Sequence, residues 1–250
     1  MLTTRVADGV HRLEHAHVNC YLIEDGGRLT LVDAGLPAMW SLLHEALREL
    51  GHEPRDIAAI ALTHAHFDHV GFAARAQREL RVPIWVHADD AYLAAHPYRY
   101  SHERLRSTYP LRYPRAIPIL ATMTRAGALA VKGVRGLRTY DLDGGVGTLD
   151  VPGSPRVLFT PGHTFGHCAL HLPERDVVIS GDALVTLDPY TGRTGPHIVA
   201  GAATANSSRA LASLDALAAT GASVVLPGHG EPWADGAVDA VARARRAGAA

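Results

Sequence analysis

The chain has 250 residues, a formal net charge of −1 with histidine neutral, and 47% hydrophobic residues. This length and apolar content suit one sizeable domain or two fused half-domains with a real core. A charge near zero argues against a dedicated nucleic-acid surface, which usually carries a basic excess. No apolar run reaches the roughly 18 residues that a membrane span needs.

Two cysteines, Cys20 and Cys168, are too few for a disulfide scaffold in a chain of this length. Both lie in strand-like segments, and we predict that both are buried packing thiols. The first residues contain no long apolar stretch after basic residues, so no signal peptide is predicted. We therefore expect a cytoplasmic protein, and the sequence favours no particular oligomeric state.

The first third of the chain alternates strands and helices. The segments NCYLIED and RLTLVDAG predict two strands joined by a glycine pair, which is a hairpin signal. MWSLLHEALRELG has apolar residues at helical spacing and a glycine stop, and VGFAARAQREL predicts a second helix. DIAAIALT is a continuous apolar run that predicts a buried strand, and PIWVHA predicts another.

Residues 97–141 differ from the rest, because they are rich in tyrosine, arginine and proline and show little periodicity. We predict that they form an inserted, partly helical lid or pocket wall over the core. The segment is too short for an independent domain.

The second half returns to regular structure. PRVLFT, CALHL, DVVISGD and SVVLPGHG predict strands, and CALHL pairs with DVVISGD around the turn PERD. NSSRALASLDALAATG and DGAVDAVARARRAG predict helices. Strands interrupted by helices throughout indicate an α/β or α+β layered class in which helices cover sheets.

Four predicted strands run straight into a histidine or an aspartate, at ALTHAHFDH, LFTPGHTFGH, VVISGDAL and VVLPGHG. Such a junction can hold a metal, because the sheet fixes the backbone and the turn aims the side chain into a cleft. Alternate residues of an extended segment point the same way, so His64 and His66 can reach one ion together. Asp68 and His69 follow a turn and can face a neighbouring ion.

With these motifs the chain resembles the metallo-β-lactamase-fold hydrolases, including glyoxalase II-like and lactonase-like members. LVDAG, THAHFDHVG, PGHTFGH, SGDAL and LPGHG occur in the family's order and span nearly the whole chain. The resemblance implies an α+β fold, a four-layer αββα sandwich, in a single domain over residues 1–250. It places the metals in a cleft at the edge of the two sheets.

The resemblance also implies metal ligands at seven positions: His64, His66, Asp68, His69, His163, Asp182 and His229. One ion would be held by His64, His66 and His163. A second would be held by Asp68, His69 and His229, and Asp182 would bridge the two. All seven are present, which favours two ions over one.

Four further residues near the motifs carry weaker expectations. The resemblance implies that Asp33 of LVDAG supports a ligand imidazole as an outer carboxylate, with a turn-forming role as the alternative. His87, His167 and His171 are predicted to be packing or surface residues. His197 is a candidate for lining the cleft, although a packing role is favoured.

Two divalent ions about 3.5–4 Å apart can share a water and lower its pKa towards neutrality. We therefore expect a metal-bridging hydroxide to attack the substrate. The resemblance implies that Asp68 is the catalytic residue, which orients this nucleophile and passes a proton to the leaving group. Zinc suits such a set of imidazoles and carboxylates, and iron or manganese accept the same donors.

The leading hypothesis is a binuclear metal-dependent hydrolase of a small ester, lactone, thioester or related acyl substrate. Five of the eight tyrosines, at positions 92, 98, 100, 109 and 113, lie in or beside residues 97–141. Together with several arginines they suit a small acyl compound with an anionic group, and a lid without substrate contact is the alternative. An antibiotic-degrading enzyme is less favoured, since such enzymes are usually exported and carry a changed ligand set.

Other functions on the same fold are alternatives. One is an iron-dependent oxidoreductase of the persulfide dioxygenase type; a di-iron oxygen reductase would need a flavin domain for which there is no room. Another is a phosphodiesterase or nuclease, against which the near-zero charge counts. A metal-binding protein without turnover is the least favoured. We therefore expect a small-molecule substrate, with no nucleic-acid or membrane partner.

Overall fold

Apolar strands in the sequence become two sheets, and amphipathic helices cover their outer faces. The computed structural model describes all residues, 1–250. The strands are β1 (Leu2–Ala7), β2 (Val10–His15), β3 (Val18–Asp25), β4 (Arg28–Val32), β5 (Ile57–Ala61), β6 (Ile84–Val86), β7 (Arg138–Thr139), β8 (Val146–Thr148), β9 (Arg156–Phe159), β10 (Cys168–Leu172), β11 (Val177–Gly181), β12 (Val185–Leu187), β13 (Thr194–His197) and β14 (Val224–Pro227). The helices are α1 (Met39–Glu49), α2 (Ala73–Glu79), α3 (Ala91–Ala95), α4 (Tyr109–Arg112), α5 (Ala116–Arg125), α6 (Ser207–Ala218) and α7 (Ala237–Ala247).

The strands form two main sheets and one hairpin. β1 to β7 lie side by side in chain order in a seven-stranded sheet, antiparallel up to β4 and parallel from β4 to β7. The second sheet has the order β14-β11-β10-β9-β8, with β14 parallel to β11 and the other pairs antiparallel. β12 and β13 pair with each other in a separate hairpin.

Three apolar clusters show how these sheets and helices are layered. A cluster of 14 buried residues lies between the sheets, with members from β2 to β5 and from β9, β10, β11 and β14. A cluster of 36 residues joins the first sheet to α1, α2 and α5, and one of 15 residues joins the second sheet to α6 and α7. The layers therefore follow the order helix, sheet, sheet, helix, which confirms the predicted αββα sandwich.

The sequence of β11 is apolar throughout because both faces of the strand are covered. Val177 and Ile179 point into the cluster between the sheets, whereas Val178 points into the cluster under α6 and α7. Alternate residues of a strand face opposite sides, so a strand covered on both faces needs apolar residues at every position. The continuous run in DVVISGD thus follows from its place in the second sheet.

The helices begin and end close to their predicted signals. In α1, Met39, Leu43 and Leu47 are buried at a spacing of four residues, which places them on one face against the first sheet. Asn206 caps α6 by accepting a hydrogen bond from the Arg209 N–H at 2.8 Å. The longest helix has 12 residues, and no helix has both the length and the apolar character for crossing a membrane.

Residues 97–141 divide into two parts. Residues 98–113 contain α4 and lie above the strand ends of the sandwich. Ile119 and Met123 of α5 belong to the apolar cluster of the first sheet, and β7 extends that sheet by pairing with β6. The C-terminal part of the predicted insertion is therefore an integral part of the core and of the sheet.

Candidate metal centre

The seven predicted ligand residues lie together beside the ends of four strands. They follow β5, β9, β11 and β14, and each is at most 6% exposed. β14 runs parallel to β11, so these two strands deliver their terminal residues to the same edge of the second sheet. β5 belongs to the first sheet, and the residues that follow it lie at the edge facing the ends of β11 and β14. Sheet topology thus brings together residues up to 165 positions apart in the chain (His64 to His229).

His64, His66 and His163 form one group of possible ligands. Their ligand atoms all lie within 4.8 Å of one another, and all three side chains are buried. His163 Nε2 faces His66 Nδ1 at 2.9 Å. At that distance one of the two nitrogens donates a hydrogen bond to the other, or both nitrogens face a metal ion.

Asp68, His69 and His229 form a second group that meets the same distance criterion. His229 Nε2 lies 3.4 Å from Asp68 Oδ2. Asp182 lies between the two groups: its Oδ2 is 3.4 Å from His163 Nε2 and 3.3 Å from His229 Nε2. One carboxylate therefore reaches a histidine of each group, as a bridging ligand must.

Asp33 orients the histidine loop from behind. Its Oδ1 accepts a hydrogen bond from the Thr63 N–H at 2.7 Å, and its Oδ2 accepts from His69 Nδ1 and Thr63 Oγ1, both at 2.8 Å. Since the Thr63 hydroxyl donates to Asp33, it accepts from His64 Nδ1 at 3.1 Å. Both imidazoles thus direct their Nδ1–H groups away from the cluster and turn Nε2 towards it. Asp33 also has a left-handed backbone, with φ of 62°, so it fills both of the roles considered from the sequence.

Two of the three other predicted ligand histidines, His163 and His229, are held in the same way. His163 Nδ1 lies 3.3 Å from Thr204 Oγ1, and that hydroxyl donates to the Val199 carbonyl, so it accepts from the imidazole. His229 Nδ1 donates to the His17 carbonyl at 2.7 Å. In each case the outer nitrogen carries the proton and Nε2 points inward, which is the tautomer of a metal ligand.

Burial and charge set the protonation of the cluster. Burial lowers the pKa of His66 to about 4, so its imidazole is neutral at pH 7. Burial alone would raise the pKa of Asp182, but the neighbouring His229 and His69 outweigh it and hold that pKa well below its ordinary value. Burial likewise lowers the pKa of His69, yet Asp182 and Asp33 outweigh it and raise the value to about 9. The carboxylates thus favour a cation at this place.

Four buried polar atoms of the cluster have no hydrogen-bond partner: His64 Nε2, His66 Nε2, His69 Nε2 and Asp182 Oδ1. Leaving such atoms unpaired costs about 1–3 kcal/mol each. Divalent ions would satisfy the inward-facing ones, and five imidazoles with two carboxylates form a donor set that zinc, iron and manganese accept. The residues present therefore fit bound divalent metal.

Gly228 leaves the space in which Asp182 and His69 approach each other. A Cβ atom at position 228 would lie 2.1 Å from Asp182 Oδ1 and 2.8 Å from His69 Cε1. Any other residue would collide with the Asp182 carboxylate and the His69 ring. The glycine of the PGHG motif is thus explained by close packing behind the site.

His167 has a more specific role than the packing role predicted for it. It is fully buried, and its Nε2 accepts hydrogen bonds from the backbone N–H groups of Asp182 and Ala183 at 3.0 and 3.1 Å. Its Nδ1 therefore carries the proton and donates to Thr160 Oγ1 at 2.8 Å. His167 fixes the backbone of the predicted bridging aspartate, and the second histidine of PGHTFGH is the only sequence signal for it.

The other residues singled out near the motifs lie apart from the cluster. His87 stacks on Phe159 with ring centroids 4.4 Å apart, and His171 is buried within β10. His197 is buried in β13 and bonds to the Gly195 carbonyl through Nδ1. Cys20 and Cys168 are fully buried free thiols, and neither belongs to a group of possible ligands.

Two segments, residues 98–113 and 188–191, cover the cluster, and we call them the roof. The ring of Tyr100 lies 4.2 Å from the ring of His66, and its hydroxyl bonds to the Tyr190 hydroxyl at 3.1 Å. Arg106 stacks on the outer face of Tyr100, with its guanidinium carbon 3.8 Å from the ring centroid. No sequence pattern distinguished Tyr100 from the other tyrosines of its segment, and Tyr190 lies outside that segment altogether.

Little free space remains under the roof. A cavity of about 10 Å³ touches Asp68, Asp182 and Tyr190, which is room for about one water molecule. A neighbouring cavity of about 140 Å³ is lined by His66 and His163 together with Asp89, Asp90, Tyr92, Arg99 and Phe165. This second cavity connects the first histidine group with the surface.

Comparison with known proteins agrees with this geometry. A sequence model of the metallo-beta-lactamase superfamily matches residues 14–229, which include all seven predicted ligands. A Bacillus subtilis protein named "Probable metallo-hydrolase YflN" is 30% identical over 193 residues, covering 73% of this chain and 66% of the relative. The uncharacterized Mycobacterium tuberculosis protein Rv2581c is 29% identical over 227 residues, covering 88% of each chain.

The chain spans just under two thirds of the Bacillus subtilis relatives that it matches, at 66%, 61% and 65% of the lengths of YflN, YobT and YqgX. Their whole-protein activities therefore do not transfer directly to this chain.

Solved structures show the same fold. A metallo-beta-lactamase family protein from Thermus thermophilus, TTHA1429, superposes with a TM-score of 0.66 and is 28% identical, covering 96% of this chain and 78% of its own. TTHA1623, solved in a di-iron-bound form, has a TM-score of 0.61 and 29% identity, covering 93% of this chain and 96% of its own. Sequence and structure together show that the chain belongs to the metallo-beta-lactamase superfamily.

Proposed function

We propose that this protein is a binuclear metal-dependent hydrolase that cleaves a small ester, lactone, thioester or related acyl substrate. The observation that carries the proposal is the pair of three-residue ligand groups, linked through Asp182. Membership in the superfamily supports it, as does similarity to a relative named as a probable metallo-hydrolase.

Bound divalent ions would lower the pKa of a shared water and polarise the substrate's reacting oxygen. Asp68 is the residue placed to handle the proton. It borders the small cavity beneath the roof, and its Oδ2 lies 3.4 Å from His229 Nε2. Burial raises the pKa of Asp68, but contact with His229 outweighs it and leaves the pKa below the ordinary value. An ionised carboxylate here can accept a proton and return it to the leaving group.

The covering of the site supports a small-molecule substrate. Each ligand residue is at most 6% exposed, so a folded polymer surface does not reach the cluster. The route past His66 and His163 is lined by Tyr92 and Phe165 and carries Arg99 at its side. The aromatic rings match an apolar acyl group, whereas the charged lining is mixed, because Asp89 and Asp90 line the same cavity as Arg99.

The metal is most simply zinc, because imidazoles and carboxylates suit it. Iron is the second candidate, since the similar TTHA1623 was solved in a di-iron-bound form. An iron-containing protein would favour the second candidate function, an iron-dependent oxidoreductase resembling persulfide dioxygenases. Manganese accepts the same ligands but has no comparable support.

Metal analysis of the purified protein, followed by an activity screen, tests the proposal. We expect about two equivalents of divalent metal per chain and hydrolysis of at least one lactone, ester, thioester or β-lactam. Treatment with a chelator should abolish that hydrolysis, and added zinc should restore it. Preferential cleavage of phosphodiesters, or iron-dependent oxygen consumption without hydrolysis, would contradict the acyl-hydrolase assignment.

A further inference from the structure

Asp90 is a buried carboxylate that lies outside the seven predicted ligands. It immediately precedes α3 and is 1% exposed. No lysine, arginine or histidine forms an ion pair with it. Burial of a carboxylate without a cationic partner is unfavourable, and burial accordingly raises the pKa of Asp90 to about 6. Such a group needs a specific structural reason.

Capping of its own helix is not that reason. Aspartate before a helix commonly accepts a hydrogen bond from the second or third helical N–H group. The side chain of Asp90 makes no such bond to α3. Its oxygens point away from the helix that it precedes.

Asp90 instead joins two loops that carry predicted ligands. Its Oδ2 accepts hydrogen bonds from the Ala65 N–H at 3.0 Å and from Thr164 Oγ1 at 2.8 Å. Its Oδ1 accepts from the Gly166 N–H at 2.9 Å. Ala65 stands between His64 and His66 in the loop after β5, and Thr164 directly follows His163 in the loop after β9.

These two loops come from different sheets, and together they carry the whole first histidine group. The hydrogen bonds of Asp90 end on backbone or side-chain atoms next to the ligands, so they hold the two loops together at these points. The distance between His66 and His163 depends on the separation of the two loops.

The packing around Gly166 shows how closely the carboxylate is seated. A Cβ atom at position 166 would lie 2.7 Å from both the backbone nitrogen and Oδ1 of Asp90. Glycine is therefore required for the loop to approach Asp90. Its place in PGHTFGH has a physical reason independent of the metal ligands.

We infer that Asp90 is a positioning residue for the first metal site, holding His64 and His66 at the correct distance from His163. This inference rests on the proposed metal-dependent function. Asp90 is assigned a role in the first histidine group only, and no effect is expected on Asp68, His69 and His229.

Zinc binding to the full-length Asp90→Asn variant tests the inference. The variant keeps the side-chain shape but replaces one acceptor oxygen with an NH₂ group that faces an N–H or O–H donor. We expect one of two zinc equivalents to bind roughly 10- to 100-fold more weakly, in the range found when outer partners of metal ligands are removed. Competition with a chromophoric chelator measures both equivalents separately.

Asp89→Asn is the matched control, because its side chain is 56% exposed and none of its oxygens contacts the ligand loops. A second pair of variants covers the case in which Asp90→Asn fails to fold. Thr164→Val removes one bond to Asp90 and should weaken the same zinc equivalent by a smaller factor. Thr164→Ser keeps the hydroxyl and should restore wild-type affinity.

A purely structural role for Asp90 predicts a different result. It would lower the melting temperature of the chelator-treated protein and leave the ratio of the two zinc affinities unchanged. That outcome, or wild-type affinities in both Asp90→Asn and Thr164→Val, would overturn the inference. A wild-type protein that binds no divalent metal would instead refute the proposed function, and the inference with it.

Discussion

Two regions enclose the candidate centre, and they hold their side chains in different ways. We call the strand-end loops that carry the seven ligands the floor. In the floor, buried polar groups bond to backbone N–H groups on neighbouring loops, as Asp33 does with Thr63 and His167 does with Asp182. The roof has hydrogen bonds of its own, but it adds contacts between rings, as in the Tyr109–Tyr190 pair at 6.4 Å, and some of its side chains are exposed, such as Leu111 at 89%.

This difference separates the residues proposed to hold metal from those proposed to select the substrate. Hydrogen bonds to fixed backbone atoms specify a position within a few tenths of an ångström, which metal coordination requires. Aromatic contacts tolerate larger shifts, so the rings and exposed side chains of the roof can be exchanged without disturbing the floor. We therefore expect substitutions in the floor to remove activity and substitutions in the roof to change substrate preference.

The largest effect should come from the floor. We expect His66→Ala or Asp182→Asn to lower kcat/KM on the best substrate by on the order of 10³-fold or more, because each removes a predicted ligand. Metal content should fall while the far-ultraviolet circular dichroism spectrum is retained. His87→Ala, a histidine outside the cluster that stacks on Phe159, is the matched control and should keep its metal. Full activity in either ligand variant would contradict the two-metal proposal.

A smaller and different effect should come from the roof. Tyr100→Ala removes the ring that lies on His66 and the hydroxyl that bonds to Tyr190. We expect KM or the order of preferred substrates to change by roughly 10- to 100-fold, with metal content unchanged. Tyr109→Phe and Arg112→Ala should show weaker changes of the same kind. Leu111→Ala is the control within the segment. Unchanged kinetics in the Tyr100, Tyr109 and Arg112 variants would show that the roof does not contact the substrate.

The smallest effect concerns pH and the stability of the metal-free floor. The pKa of Asp90 is raised to about 6 in the folded chain, from an ordinary value of 3.8, because the carboxyl is buried. The folded state therefore binds more protons than the unfolded state between about pH 4 and pH 6, and stability falls as pH rises through this window. Relative to Asp90→Asn, the free energy of unfolding of the wild type should fall by up to about 1.4 kcal/mol per pH unit.

Chemical denaturation of the chelator-treated proteins at several pH values measures that difference. The histidines titrate in both proteins and cancel in the comparison. Parallel pH profiles for the two proteins would show that Asp90 is ionised in the folded chain throughout this range.

Much of the floor could be predicted from the sequence because its signals are local. A strand followed by a turn and a histidine or aspartate is visible in a few consecutive residues, as at His64 and His66 or at Asp182. Five motifs in the order of the metallo-β-lactamase superfamily gave the resemblance that implied the αββα fold, which the layers of the structure confirm. The apolar runs likewise located the buried strands and the helices that cover them.

Other features depended on contacts that no local pattern encodes. Asp90 is 25 residues from Ala65 and 76 from Gly166, and its short segment ADDAY looks like an ordinary helix start. Tyr190 meets Tyr100 across 90 residues. Helical period, strand alternation and motif spacing all describe neighbours along the chain, so they carry no information about such pairs.

The sequence by itself determined which side chains can bind metal and which strands present them, because both depend on residue type and short-range spacing. The tertiary structure decided how far apart those ligands lie, which buried carboxylate joins their loops, and which rings cover them. These depend on how two sheets pack against each other, and that packing is settled by the whole core.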